Sequence, residues 1–477
     1  MGTYLKKAGK WLLFFTPLLL GGVGLIGLEG EPVLDGVFRC VSMYVMNYQD
    51  TPPNLWVELA RWTAPLATAS GVLLAVAAVR DRLRDWLRAL RGDSVAVYGS
   101  REQREELLAQ LGRRGIDGGQ DWHLVRAQNY LLLGSEEENF DFYGDNRAAL
   151  AGRTVYLQSS TLPAQSVSDP GLRLFCPEET AARLFWKERC LYETSAGCGH
   201  RMQVVFVGFG ALGEQLLTYA LQNNIFSPEQ RIAYHIFGDG ARFSAVHTGL
   251  SALGDPVIFH REMWYEDLEL LETAQMVVVL TQQEQLALVR DILLATTAPV
   301  LDVFSAGEGE LKLLAGQERV RLFAWEKVGW APDNIFRDTM FHRAKRINLR
   351  YAHLYSGTQE TPENGEREWE RLDGFTRYSN VSAADYHQVR LHMLDALGWP
   401  REAAQLTGEQ MELLAELEHI RWCRYHYLNN WRQGEPGEGR RKDPARRIHA
   451  DLVPYGALTD PEKQKDRDNI RVLLSVE

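Results

Sequence analysis

The stretch Met202–Gln215, MQVVFVGFGALGEQ, decides how the rest of the chain is read. Val204–Val207 is an apolar run short enough to be a strand buried in a parallel sheet. Gly208, Gly210 and Gly213 follow in G-x-G-x-x-G spacing, and Leu212, Leu216, Leu217, Ala220 and Leu221 then recur at helical intervals. In a strand–turn–helix unit the first glycine makes the tight turn, the second lets the backbone approach a pyrophosphate, and the third lets helix pack on strand. The helix start adds free N–H groups and a positive dipole end.

Working outward, further strands are expected at Arg231–Phe237, Pro256–His260, Met276–Thr281, Pro299–Phe304 and Arg321–Trp325, with a helix over Gln283–Thr296. Strands alternating with helices predict a doubly wound α/β sheet of Rossmann type. The turn residues Gly208, Phe209, Gly210, Ala211, Leu212 and Gly213 are then candidates for a nucleotide cofactor, NAD(H) or another. Asp239, after the second strand, is the candidate ribose acid, somewhat later than the usual ~20 residues. The competing reading is a scaffold that keeps the turn and has lost the ligand.

At 477 residues the chain has room for about three domains. Its formal charge of −11 argues against a binder of nucleic-acid duplexes. The cysteines Cys40, Cys176, Cys190, Cys198 and Cys423 form no CxxC pair, so no metal site is expected and the thiols read as core residues of a reducing compartment.

Trp11–Leu28 and Trp62–Val79 are uncharged runs near the lower length limit for crossing a hydrocarbon core of ~30 Å. Lys6, Lys7 and Lys10 precede the first, and Arg80, Arg82, Arg84, Arg88 and Arg91 follow the second. The charge bias predicts a two-helix transmembrane hairpin within residues 1–92, seated in the inner membrane's lipid bilayer with both ends cytoplasmic. A signal peptide and a buried soluble helix are the alternatives for the two runs. Small residues such as Ala67, Gly71 and Ala75 would let such helices associate, within one chain or in a homo-oligomer.

Residues 93–199 repeat the α/β pattern in degraded form. Strands are expected at Val95–Tyr98, Tyr130–Leu133, Thr154–Gln158 and Leu172–Phe175, and helices at Arg101–Leu111 and Pro177–Lys187. Only Gly99 stands where several glycines would be needed, so this module reads as a Rossmann-like support. Glu136–Glu138, Asp141 and Asp145 read as a solvated acidic loop.

With those residues in view, Gln203–Trp325 (within residues 200–345) resembles the TrkA-N (RCK) domain of potassium-transport regulators. The GFGALG turn would be its phosphate loop and Asp239 would lie near its ribose position. The end of the chain, within residues 346–477, resembles the ryanodine-receptor (RyR) repeat domain. The carriers are Glu418-His419, Arg421-Trp422, Trp431 and His449-x-x-Leu452-Val453-Pro454-Tyr455, closed by Leu458 and Asp466-Arg467-Asp468. Asn430 replaces a common glycine, and Ala450 a common proline. Tyr378-Ser379-Asn380 leading into Ala383–Leu397, with Asp385 and His387, resembles the segment that accompanies RyR domains in TrkA-N proteins. The resemblance implies recognition of a nucleotide-type small molecule, by Trp422, Trp431, Arg432, Arg440, Arg441, His449 and Tyr455 among others. Taken without the family, Trp422 and Trp431 read first as core anchors, and Arg432–Arg447 as either a phosphate-gripping or a solvated basic loop.

No catalytic set emerges: there is no Walker lysine and no nucleophile elbow. The reading is therefore a membrane-anchored nucleotide sensor or channel-like effector rather than an enzyme, and by analogy with bacterial conflict systems its setting would be antiviral signalling. A potassium channel or transport regulator binding NAD(H), and a membrane-tethered NAD(P)-dependent enzyme, are the alternatives.

Overall fold

A computed structural model describes residues 15–160, 162, 167, 169, 171–297, 300–305, 318–336, 339–437 and 439–475. The chain divides into two units, Met1–Ser94 and Val95–Glu477.

In the first unit residues 15–22 are α-helical and run into a π-helix, Val23–Leu28. Helices α1 (Val33–Tyr44) and α2 (Leu55–Ala89) follow. Leu25, Cys40, Met43, Val57, Ala60 and Ala64 make their core. Asn54 fixes the entry to α2, its Oδ1 accepting from Val57 N (3.1 Å) and its Nδ2 donating to Gly24 O (3.0 Å).

The expected transmembrane hairpin is corrected here. Among the described residues no helix is long and apolar enough to cross a membrane. The described part of the first run changes from α to π geometry before ending at Glu29. The second run lies inside α2, where Pro65, Thr63, Thr68, Ser70 and many alanines dilute its apolar character. The connection between the runs is not a loop but contains α1. Lys6, Lys7, Lys10 and Trp11–Phe14 lie outside the described residues.

The second unit opens with β1 (Val95–Gly99), α3 (Arg101–Leu111), β2 (Gly115–Asp117), β3 (Asn129–Leu133), α4 (Glu136–Asn146), β4 (Thr154–Gln158) and β5 (Leu172–Phe175). The five strands are all parallel in the order β2-β1-β3-β4-β5, a doubly wound topology. The acidic stretch expected as a loop is α4. Ser135 caps it, and Glu138 reaches back to Ser135 N at 2.9 Å, so a capping box turns three successive glutamates into a helix start favoured by the dipole.

Helices α5 (Pro177–Glu188) and α6 (Tyr192–Gly197) lead to the second sheet. It comprises β6 (Arg201–Val207), α7 (Gly210–Asn223), β7 (Arg231–Phe237), α8 (Ala241–Val246), β8 (Val257–His260), α9 (Leu268–Thr273), β9 (Met276–Val279), α10 (Gln285–Ala295), β10 (Leu301–Ser305) and β11 (Val320–Ala324). All six strands are parallel in the order β11-β10-β9-β6-β7-β8. Counted within the sheet this is the Rossmann order, and it reverses between β6 and β9. Val204, Val205 and Phe206 are fully buried, as a central parallel strand requires.

After α11 (Trp325–Gly329) and α12 (Pro332–Phe336) comes a helical end: α13 (Thr339–Ser356), α14 (Pro362–Glu370), α15 (Gly374–Leu397), α16 (Gly408–Leu428) and α17 (Asp460–Leu474). Short strands β12 (Arg432–Gln433), β13 (Lys442–Asp443) and β14 (Ile448–His449) form a small sheet between α16 and α17.

Helices α15 and α16 share one core with the second sheet: Tyr386, Val389, Met393, Leu417 and Leu428 pack with residues of β6, β7 and α7. Buried polar bonds hold the junction. Arg424 pairs with Asp255 at 2.7 Å and donates to Leu221 O at 3.0 Å, while Tyr386 donates to Ile225 O at 2.7 Å.

Candidate functional site

The glycine turn stands where the strand order reverses. Gly208 has φ +95°, and a Cβ there would lie 2.7 Å from Thr281 N, so only glycine passes between the ends of β6 and β9. A Cβ on Gly213 would lie 2.7 Å from the Phe209 ring, which sets the close packing of α7. Gly210, at φ +66°, faces open space. The other turn residues divide. Phe209 and Leu212 are buried, with Phe209 edge-on to Phe243 (5.6 Å) and Phe259 (5.5 Å), so their side chains are core and only their backbones can meet a ligand. Ala211 lines a different cavity, of about 510 Å³.

Gly208 and Asp239 line one cavity of about 820 Å³, together with Gly238, Phe259, Met263 and Trp264. Asp239 is exposed and its Oδ1 accepts from Ala241 N at 3.1 Å, which starts α8. The volume lies inside the ~300–1,000 Å³ range of ligand pockets. The first glycine of the turn and Asp239 therefore face one open space. At its edge His260 stacks on Phe237 (4.4 Å, 22°) and meets His235 through Nε2···Nδ1 at 3.0 Å; burial lowers the pKa of His235. Sequence reasoning missed His260 and Trp264, since nothing in their spacing marks them.

From the floor of this cavity a path runs to the C-terminal helices. Helix α8 begins two residues after Asp239 and ends at Val246, with His247 and Thr248 following it. His247 Nδ1 meets Leu428 O at 2.8 Å, and Thr248 N donates to Asn430 Oδ1 at 2.9 Å. Asn430, read from sequence as a departure at a turn (its φ is +60°), also donates to Val246 O at 2.8 Å.

The C-terminal candidates are only partly brought together. Trp422 and His449 line a cavity of about 380 Å³ with Tyr351, Tyr355, His419 and Asp466. Trp422 is half-buried and meets His449 edge-on at 4.8 Å. Trp431 is instead buried against Phe375 (5.2 Å, 26°), and Tyr455 donates to Glu412 at 3.0 Å, so neither lines that cavity. Arg441 is paired with Asp451 and Glu462, and Arg432 and Arg440 are exposed away from the cavity lining. The cavity thus offers aromatic faces and carboxylates rather than an arginine clamp.

Neighbours on α16 serve opposite sides. Glu418 is fully buried between Arg390 (2.6 Å) and Arg421 (2.8 Å). Burial opposes its charge, but the two guanidiniums hold its carboxyl below the usual value. His419 faces the cavity, its Nδ1 3.3 Å from Asp466 and its Nε2 2.8 Å from Val453 O. Burial would lower its pKa, yet the bonds to Asp466 and Cys423 outweigh this and raise it. His426 and His449 go the other way, burial lowering them to about 3 and about 4.

The fold and these sites define an α/β protein of two doubly wound parallel sheets, the second carrying a nucleotide-type turn, with a helical module docked on it. Residues 404–476 of that module match the RyR domain family, which covers α16, the small sheet and α17. No curated protein and no solved structure matches the chain.

Proposed function

We propose that the Val95–Glu477 unit senses a nucleotide-type molecule, NAD(H) or a relative, at the glycine turn of its second sheet, and passes occupancy to the RyR module. The observation that carries this is the single cavity joining Gly208, at the point where the strand order reverses, to Asp239. Its likeness to the TrkA-N (RCK) turn points the same way. The route is α8, whose start borders the cavity and whose end is bonded to Leu428 and Asn430. The aromatic cavity around Trp422 and His449 is the second place for a base to stack. A ligand shifts such a protein only if it binds two arrangements with different affinity.

Association of copies is the output we favour. Leu55, Leu59, Trp62, Leu66, Leu73 and Val76 are exposed on α2 at heptad positions, the pattern by which one helix packs on its twin. The deciding experiment is mass spectrometry of small molecules released from the purified chain, beside Gly210→Asp. The variant places a carboxylate in the open space where a pyrophosphate would sit and should emerge empty. Equal retention by both proteins would refute the turn as the site.

A further inference from the structure

The cavity of about 510 Å³ lies where the first sheet, the second sheet and the C-terminal helices meet. Ser159 and Cys176 reach it from the carboxyl ends of β4 and β5, Gln215, Thr218 and Gln222 from α7, and Ser382 from α15. Junctions between domains are favoured places for small ligands. Gln222 decides what this one can hold. It is 5% exposed, yet its side-chain amide makes no hydrogen bond with any other described residue. A buried amide with both donor and acceptor unmet is rare in a folded chain, because burial strips its hydration and returns nothing. Gln215 repeats the arrangement one stretch earlier on the same face of α7, roughly 10 Å along the helix axis. Its amide also has no partner among the described residues.

The charged groups of the lining mark what the space does not take. Arg242 is paired with Glu214 at 2.9 Å, and Glu179 accepts from Tyr219 Oη at 2.6 Å. A phosphate entering here would meet carboxylates and an arginine already neutralised. Ser382 Oγ accepts from Arg421 at 3.1 Å, which leaves its own O–H as a donor. Phe243 and Tyr425 add flat walls, the Tyr425 Oη being tied to Phe375 O at 2.8 Å. A carboxamide sets a donor beside an acceptor, the pattern that reads the edge of a nucleobase, and aromatic rings pack on the base's faces. We infer that this cavity binds an uncharged nucleoside, its base read by the Gln222 amide and its sugar hydroxyls met toward Gln215. The site shares no lining residue with the glycine-turn cavity. The two flank α8 on opposite faces: Ala241, Ser244 and Ala245 line the glycine-turn cavity, and Arg242, Phe243 and Val246 this one. A nucleoside here bears on the helix that links the turn to the RyR module.

The test is calorimetric titration of the full chain with adenosine, guanosine, cytidine and uridine. Saturable binding of at least one is expected. The 5′-monophosphate of the tightest binder, titrated into Gly210→Asp so that the glycine turn does not contribute, should bind at least tenfold more weakly. Gln222→Leu keeps the size of the side chain and removes only the amide. It should abolish nucleoside binding while the thermal midpoint stays level or rises, since no internal bond is lost. Gly210→Asp should leave nucleoside binding intact, which separates failure of this site from failure of the glycine turn. No saturable binding of any of the four, binding indifferent to Gln222→Leu, or binding lost in Gly210→Asp would each overturn the proposal; the last would assign the nucleoside to the glycine turn. A lowered midpoint in Gln222→Leu would mean that the amide serves the fold and would overturn it too. A monophosphate bound as tightly as its nucleoside would overturn the choice of an uncharged ligand.

Discussion

Glu418 is a charge that its surroundings make obligatory. Two guanidiniums neutralise it at full burial, so removing its charge leaves Arg390 and Arg421 facing each other without compensation. Glu418→Gln should therefore cost about 3–5 kcal/mol, read as a fall in the urea midpoint at unchanged slope. The histidines of the same module predict a pH dependence. His426 and His449 titrate near 3 and 4 when folded, against about 6.5 when unfolded. Their contribution is full above about pH 6.5 and is lost as pH falls toward 4, because the unfolded chain then binds protons that the folded one refuses. Each should give a slope of up to about 1.4 kcal/mol per pH unit in that window. His419 has the opposite sign: its raised pKa contributes stability at low pH that is lost as pH rises through the folded value. Thermal midpoints between pH 7 and 4.5 should thus fall, and His426→Phe should flatten the fall if the variant folds.

Among the elements, β6–turn–α7 is where local sequence and tertiary geometry agree most closely. The Gly213 position abuts the Phe209 ring, so Gly213→Ala overpacks the turn and should destabilise by about 1–3 kcal/mol. Gly210→Asp meets no neighbour, so its cost is the backbone strain of an L residue held at φ +66°, and it should abolish retention of a nucleotide. Thermal denaturation of both variants, beside ligand release, separates the packing glycine from the contact glycine. This agreement explains why the second sheet was legible. Arg231–Phe237 has the bounds expected from the sequence, and β8–β11 differ by only a few residues. The acidic stretch is a helix rather than a loop because the Ser135/Glu138 capping box and the helix dipole favour three glutamates at the start of α4. Uncharged residues are not all apolar: Ala, Gly, Thr and Ser in 62–79 contribute little to transfer from water, and no described helix is long and apolar enough to cross a membrane. The site was half legible. Motif spacing marks Gly208, and strand order brings Asp239 into its cavity, but His260, Trp264 and the Asp255–Arg424 pair depend on long-range packing that no local pattern records.

In the molecule as a whole, the RyR module is not a bead on a string. The stretch that matches the family begins at residue 404, yet the core it needs begins earlier. Glu418 takes one of its two arginines, Arg390, from α15; Trp431 stacks on Phe375, also from α15; and Arg424 finds its carboxylate, Asp255, in the second-sheet domain. A chain cut to residues 404–476 would expose Trp431, leave Arg424 without its carboxylate and deprive Glu418 of Arg390. It should therefore show helical far-ultraviolet dichroism without a cooperative thermal transition, whereas the Val95–Glu477 unit should melt with a single sharp one. The same logic makes Asp255→Asn the informative full-length variant. It removes the carboxylate beneath Arg424 but keeps the Rossmann turn, so nucleotide retention should survive while hydrogen exchange in α16 quickens. If α16 exchanged as slowly in Asp255→Asn as in the parent, the Arg424–Asp255 pair would not be what holds α16, and the bonds made by Tyr386, His247 and Asn430 would carry the junction.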